Sequence, residues 1–242
     1  MKILIPTAKE LNKKAREVNE GLLGEKTKSI IDEFADKKPE ELSKIYKIKE
    51  EKAQEEYVRW QNLANHSAKS YRALELFNGL MYRNISRDNF TEEDKEYIKK
   101  NVYITTALYG VINAYEAIHE HRLDFLQNIK IRESSLKNFW REDYDRSVEN
   151  DEVIISLLSS EFEEVFSKTI REKFIKITFM EEKNGDLKTH STISKKARGK
   201  FLSEIIKRKI SDIRELETIK FDDFEYKSEL SDKNNLVFVA KR

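Results

Sequence analysis

The sequence predicts an α+β fold, a single domain over residues 1–242 in which a central mixed β-sheet is surrounded by helices. Three observations point there. Short runs rich in β-branched, aromatic and other apolar residues are spread from one end of the chain to the other, near residues 2–5, 102–109, 152–158, 174–180 and 236–239. Helical apolar spacing fills the intervals, but without the regular alternation of a doubly wound βαβ sheet. Six Gly and two Pro in 242 residues leave no long flexible linker and no visible domain boundary.

Taken in order, Met1–Ile5 reads as a short buried strand that ends at Pro6. Leu11, Ala15, Val18 and Leu22-Leu23 recur at helical spacing and predict a helix that stops at Gly24. Ile30-Ile31 and Phe34 form the apolar face of a second helix. Pro39 suits the first turn of a third, carrying Leu42, Ile45 and Tyr46. Residues 49–66 predict a charged helix with Ala53, Tyr57, Trp60 and Ala64 inward. Tyr71–Phe77 fits either a strand or a helix end, closed by Asn78-Gly79. Thr91 followed by Glu92-Glu93-Asp94 is a helix start, a capping hydroxyl with acids in the first turn. Val102–Tyr109 predicts a strand that turns at Gly110, and the alternation in Arg122–Phe125 predicts another. Glu152–Leu158 is a buried strand, with Ser159-Ser160-Glu161 opening the next helix. Phe174–Met180 alternates, Asn184-Gly185 signals a hairpin, and Leu187–Ile193 is the expected return. A basic helix over 196–210 and a last strand at Leu236–Val239 complete the chain.

Composition excludes several chemistries. There is no cysteine, so disulfides, cysteine-ligated zinc, iron–sulfur clusters and thiol catalysis are ruled out. The 13 Phe, 10 Tyr and 2 Trp supply bulky core material despite 38% charged residues. The longest apolar stretch, Val153–Ile155 with Leu157-Leu158 beyond Ser156, is too short to span a bilayer. The N-terminal apolar patch is too short for a signal peptide. A cytoplasmic protein is expected. Serine-hydrolase, phosphate-loop and dinucleotide fingerprints are absent.

Charge is distributed unevenly. The formal net charge is only +1, yet Ser194–Ile210 holds seven Lys or Arg and one acid, Glu204. The following segment, 211–230, holds seven acids and three bases. A local cationic site attracts a phosphate or carboxylate partner. With 100° per residue, Phe201, Leu202, Ile205 and Ile206 share one stripe and Lys196, Lys200 and Lys207 lie opposite. Arg198 projects on the apolar side, where a guanidinium needs an anion, either a carboxylate of the protein or a bound ligand. Gly199 beside it permits close approach of a backbone or a ligand.

Several segments resemble the YaaA family, bacterial proteins associated with peroxide stress. They are Pro6-Thr7-Ala8-Lys9, Leu108-Tyr109-Gly110-Val111, Arg122-Leu123, Phe139-Trp140, Ser156–Phe162, Glu181–Gly185 and Lys195-Lys196-Ala197-Arg198-Gly199. Their order and spacing run nearly end to end. The resemblance implies the family's own α+β fold, a cytosolic protein, and a positively charged cleft. It also implies double-stranded DNA binding through that cleft and a helix-hairpin-helix element, and a role in limiting free iron. Lys9, Tyr109, Arg122, Lys195 and Arg198 are the positions it carries over as an anion or DNA site, and Lys196 joins them from the basic segment. The chain is a divergent member: Thr7 interrupts Pro-Ala-Lys, Asn113-Ala114 replaces an Arg-Pro, and His121 replaces a Tyr.

No cofactor and no metal site is expected. His119 and His121 would share a face on a strand, but they fit core or surface histidines better than ligands. Asp222-Asp223-Phe224-Glu225-Tyr226-Lys227 has the acids and lysine of a Mg²⁺ nuclease, but such tripeptides are common in a chain with 45 acids and an exposed acidic face fits better. Two functions are carried forward. One is backbone-directed DNA binding by a non-enzymatic stress protein. The other is an enzyme for a small phosphorylated or anionic metabolite, with Lys195 and Arg198 clamping the anion and Asp124 or Glu161 as acid or base. An open groove suits the first and a closed pocket the second.

Overall fold

The computed structural model describes residues 1–19, 21 and 23–241. The chain opens with β1 (Lys2–Pro6) and β2 (Glu17–Val18), then α1 (Glu25–Ala35), α2 (Pro39–Tyr46) and α3 (Glu50–Ala64). β3 (Ser70–Arg72) and α4 (Ala73–Leu76) lead through two 3-10 turns, Tyr82–Asn84 and Arg87–Asn89, into α5 (Glu92–Asn101). β4 (Val102–Thr106), β5 (Gly110–Asn113), β6 (Ala117–His119), β7 (Lys130–Ile131) and β8 (Ser134–Ser135) precede α6 (Leu136–Val148). Next come β9 (Ile154–Ser156), α7 (Ser160–Glu163) and α8 (Lys168–Arg171). The last third runs β10 (Phe174–Lys183), β11 (Asp186–Lys188), α9 (Ser191–Arg208), α10 (Ile213–Leu216), β12 (Phe224–Tyr226) and β13 (Asn235–Lys241).

Eight strands form one mixed sheet in the order β12-β13-β10-β9-β1-β4-β5, with β11 paired to β10. The five in the middle, β13, β10, β9, β1 and β4, are parallel. The antiparallel pairings are confined to its margins. Period-2 alternation divides the core into two layers. Ile3, Ile5, Ile104 and Ile155 face α4, α5 and α9, whereas Leu4, Tyr103 and Ile154 face α1–α3 and α6–α8. The predicted fold class, α+β around a mixed sheet, is the observed one.

Local chemistry accounts for most boundaries. Thr91 caps α5 through the Asp94 amide, and the Asp94 side chain accepts from the Thr91 amide in return, a capping box. Pro39 occupies the first turn of α2. Asn184 and Gly185 both have positive φ, 55° and 85°, and close the two-residue β10–β11 hairpin. Gly110 turns β4 into β5 at φ 76°, and a Cβ there would come within 2.9 Å of the Trp140 ring. That hairpin joins two strands rather than two helices.

Three elements differ from the expectation. Residues 8–19 are not helical: Leu11 bridges Phe77, and Glu17-Val18 pairs with Tyr71 and Ser70. The apolar spacing there serves docking onto neighbouring strands, Leu22 lies outside the described residues, and Gly24 starts α1 rather than ending a helix. Arg122–Phe125 is irregular chain, fixed by side chains: Gln127 accepts from the Asp124 amide (2.9 Å) and Glu161 from the Phe125 amide (3.0 Å). The return strand after the hairpin is only Asp186–Lys188, because the basic helix starts earlier, at Ser191, and ends when Lys209 turns left-handed at φ 52°.

Candidate anion-binding cleft

Order in the sheet reverses beside β1. The chain leaving β1 builds toward β4 and β5, whereas the chain leaving its parallel neighbour β9 builds toward β10 and β13. Such a switch point leaves a crevice outside the carboxyl ends of the two strands, the place where open α/β sheets bind ligands. A cleft of about 430 Å³ lies there, within the range of small-molecule sites. Pro6-Thr7-Ala8-Lys9 leads into it from β1, and Ser159, Glu161 and Phe162 from β9.

Two further segments wall it. Residues 79–83 sit against the β1 extension so closely that a Cβ on Gly79 would stand 2.7 Å from Ala8 Cβ. Tyr82 fixes the floor by donating from its hydroxyl to the Pro6 carbonyl (2.8 Å). Arg87 holds the base of the same segment, donating to the Leu74 and Phe77 carbonyls at 2.7 and 2.9 Å. Helix α9 supplies the opposite wall through Thr192, Lys195 and Arg198. It can approach because residue 199 lacks a side chain: a Cβ would overlap the Met81 carbonyl oxygen and lie 2.9 Å from Asn84 Cβ. Ser203 adds a tie, accepting from the Ser86 amide at 2.9 Å.

Within the cleft the charges fall into two groups. Arg198 sits on the sheet side of α9, as its helical phase predicts. Its Nε is buried with no hydrogen-bond partner, and no carboxylate pairs with it among the described residues. Burial lowers its pKa from the ordinary guanidinium value, opposed only by Glu163. Glu163 is already engaged, accepting from Ser156 Oγ and Lys176 Nζ, both at 2.7 Å. An arginine cannot escape by deprotonation, so its charge stays in the cleft and favours an anion there.

The second group is acidic. Asp124 is 4% exposed; its Oδ1 accepts from the Leu126 amide (2.9 Å), and its Oδ2 forms an ion pair with Lys9. Glu161 takes the Phe125 amide on Oε1. Burial raises the Glu161 pKa, and the neighbouring Asp124 raises it further, against the pull of the Phe125 amide and Lys9. Arg83 and Glu10, also on the rim, pair with each other.

Lys9, Lys195 and Arg198 therefore share one cleft, together with Asp124 and Glu161. Arg122 does not line it. Arg122 opens on an adjoining cavity of about 320 Å³ that shares Lys9 and contains the buried Glu56–Arg59 pair. Lys196 is exposed on the outer face of α9. Tyr109 packs away from both, its hydroxyl 2.9 Å from His119 Nδ1 and accepting from the His119 amide at 3.1 Å. His119 and His121 are core residues of that cluster, 7% and 2% exposed. Sequence reasoning missed the wall at Gly79–Arg83 and Thr192. The Asn78-Gly79 pair was the available signal for the first, and an earlier start to the basic helix would have found the second.

The arrangement is that of an α+β protein with a cationic, partly acidic cleft at the switch point of its sheet. The chain belongs to the YaaA peroxide stress protein family, whose model matches residues 1–230. A UPF0246 protein of Streptococcus gordonii is 49% identical over 241 residues, covering 100% of this chain and 99% of its own. UPF0246 proteins of Streptococcus thermophilus and Streptococcus pneumoniae are each 46% identical, covering 100% of this chain and 98% and 100% of their own lengths. Among the described residues no helix is long and apolar enough to cross a membrane.

Proposed function

We propose that this protein acts in peroxide stress by binding a small phosphorylated or otherwise anionic ligand in the cleft between α9 and the ends of β1 and β9. The observation that carries this is Arg198, a half-buried residue lining a cleft of ligand size, whose Nε is buried without a hydrogen-bond partner and which pairs with no carboxylate among the described residues. Lys195, which lines the same cleft, shares the anion. Asp124 and Glu161 are positioned for proton transfer on the bound molecule. A carboxyl whose pKa is raised by burial, as for Glu161, suits a general acid.

A second reading, double-stranded DNA as the partner, is favoured by a different observation. Lys195, Lys196 and Lys207 are exposed on α9 and have no ion-pair partner among the described residues. Contacts from such a row reach phosphates and carry no sequence information. Limitation of free iron under peroxide stress is the physiological end we assign to either partner.

A melting-shift screen with nucleotides, sugar phosphates and short duplexes at two salt concentrations separates them. A shift by small phosphates that is lost in Arg198→Ala is the expected result. A salt-sensitive shift by unrelated duplexes alone, with none from any small anion, transfers the assignment to DNA.

A further inference from the structure

The cleft has two chemically different ends. On the α9 wall stand Lys195 and Arg198, a site for an anion. The other end holds Asp124 and Glu161, joined through the chain between them: Asp124 starts the Leu123–Leu126 turn, and the Phe125 amide within it donates to Glu161. The two ends answer to different charges. Arg198 feels Glu163, which lies behind it and is already bonded, whereas Glu161 feels Asp124 and Lys9.

The acidic end is built but unfinished. Asp124 is more than nine-tenths buried, and its Oδ2 is answered only by the ammonium of Lys9, a half-exposed side chain. Glu161 has one oxygen on the Phe125 amide, and among the described residues no group donates to the other. A simple anion filling the cleft would leave the second Glu161 oxygen without a donor and Asp124 Oδ2 with Lys9 alone, both beside its own negative charge. Buried acceptors left unmatched destabilise a complex, so the site discriminates in favour of a molecule that supplies donors there.

We infer that the ligand is bifunctional: a phosphomonoester held by Arg198 and Lys195 that also carries a hydroxyl or amino group donating to Asp124 Oδ2 and Glu161. This deepens the small-anion reading above and rests on it. Nucleoside monophosphates, sugar phosphates and amino-alcohol phosphates have that chemistry; inorganic phosphate and alkyl phosphates have only half of it.

The test is calorimetric titration of the intact protein with inorganic phosphate, ethyl phosphate, phosphoethanolamine and glycerol phosphate, beside Arg198→Met as the control for the anion end. The hydroxyl- and amino-bearing esters are expected to bind at least about tenfold more tightly than ethyl phosphate. Asp124→Asn and Glu161→Gln are expected to erase that preference while strengthening inorganic phosphate binding, because each removes a negative charge from the cleft. Because the comparison among ligands uses the wild-type protein, it stands even where a variant fails to fold. Equal binding of ethyl phosphate and the donor-bearing esters, with phosphate binding intact and dependent on Arg198, overturns the bifunctional ligand alone. Binding of no phosphate compound at all overturns it together with the small-anion reading.

Discussion

The two halves of α9 carry the same residue types and put them to opposite uses. In the second half the protein answers most of the cations, although Lys207 has no ion-pair partner among the described residues. Lys200 reaches both oxygens of Asp222 at 2.9 and 2.7 Å, Lys209 pairs with Asp94, and Arg208 donates to Thr218. Those partners lie on α5, on α10's C-terminal side and in the acidic stretch that follows the basic one, so the local excess of charge largely cancels in space. In the first half, Lys195, Lys196 and the half-buried Arg198 have no ion-pair partner among the described residues. Net charge along a helix thus says little about ligand binding. What matters is which cations the fold leaves unanswered.

His121 sharpens the contrast. Its Nε2 is also buried without a partner, and its ring meets Phe77 and Tyr109 edge-on. An imidazole in that position simply stays neutral; burial lowers its pKa from 6.5 to about 4. A guanidinium has no neutral form available, so Arg198 keeps its charge in the cleft it lines, whereas His121 carries none.

Replacing the glycine at the boundary between the halves should have the largest effect. Gly199→Val forces α9 away from the Met81 carbonyl and Asn84, and a loss of about 3 kcal/mol or more is expected in urea unfolding, with loss of ligand binding. A variant as stable as the parent would break the account of how α9 docks. Acid unfolding comes next. His121 is neutral in the folded protein and takes up a proton on unfolding at any pH between about 4 and 6.5. Stability therefore falls as pH falls through that window, by on the order of 3 kcal/mol, with His119 adding a change of the same sign. Chemical denaturation as a function of pH should show this slope in the parent and little of it in His121→Gln.

Arg198→Met gives an intermediate effect with the opposite sign. Removing a half-buried, unpaired charge should raise stability by about 1 kcal/mol while abolishing anion binding. If melting shows the variant destabilised instead, Arg198 has an internal partner and the contrast between the halves collapses. The smallest effect belongs to Lys200→Ala. Its pair with Asp222 is solvent-exposed, so a loss of ~0.2–1 kcal/mol and unchanged ligand affinity are expected. A large drop in affinity there would extend the binding surface to the second half of the helix.

Much of the fold was legible because its signals are local. The alternation in β10, the cap at Thr91, the proline of α2 and the Asn184-Gly185 turn act within a few residues, where short-range sterics and hydrogen bonds decide the outcome. Residues 8–19 show the limit. Leu11, Ala15 and Val18 have helical spacing, but the bridge to Phe77 and the pairing with Ser70 and Tyr71 decide their conformation, and those partners are more than 50 residues away.

The same division holds for the cleft. The sequence by itself determined that α9 is amphipathic and that Arg198 lies on its inward side, because helical phase follows from 3.6 residues per turn and the positions of Phe201, Leu202, Ile205 and Ile206. Only the tertiary structure decided that Arg198 finds no carboxylate there while Lys200 and Lys209 do, and that Lys9, Asp124 and Glu161 converge on the same crevice. Ion pairs form between groups brought within a few ångströms by strand order, and the order of β9, β1 and β4 is set by packing across the whole chain.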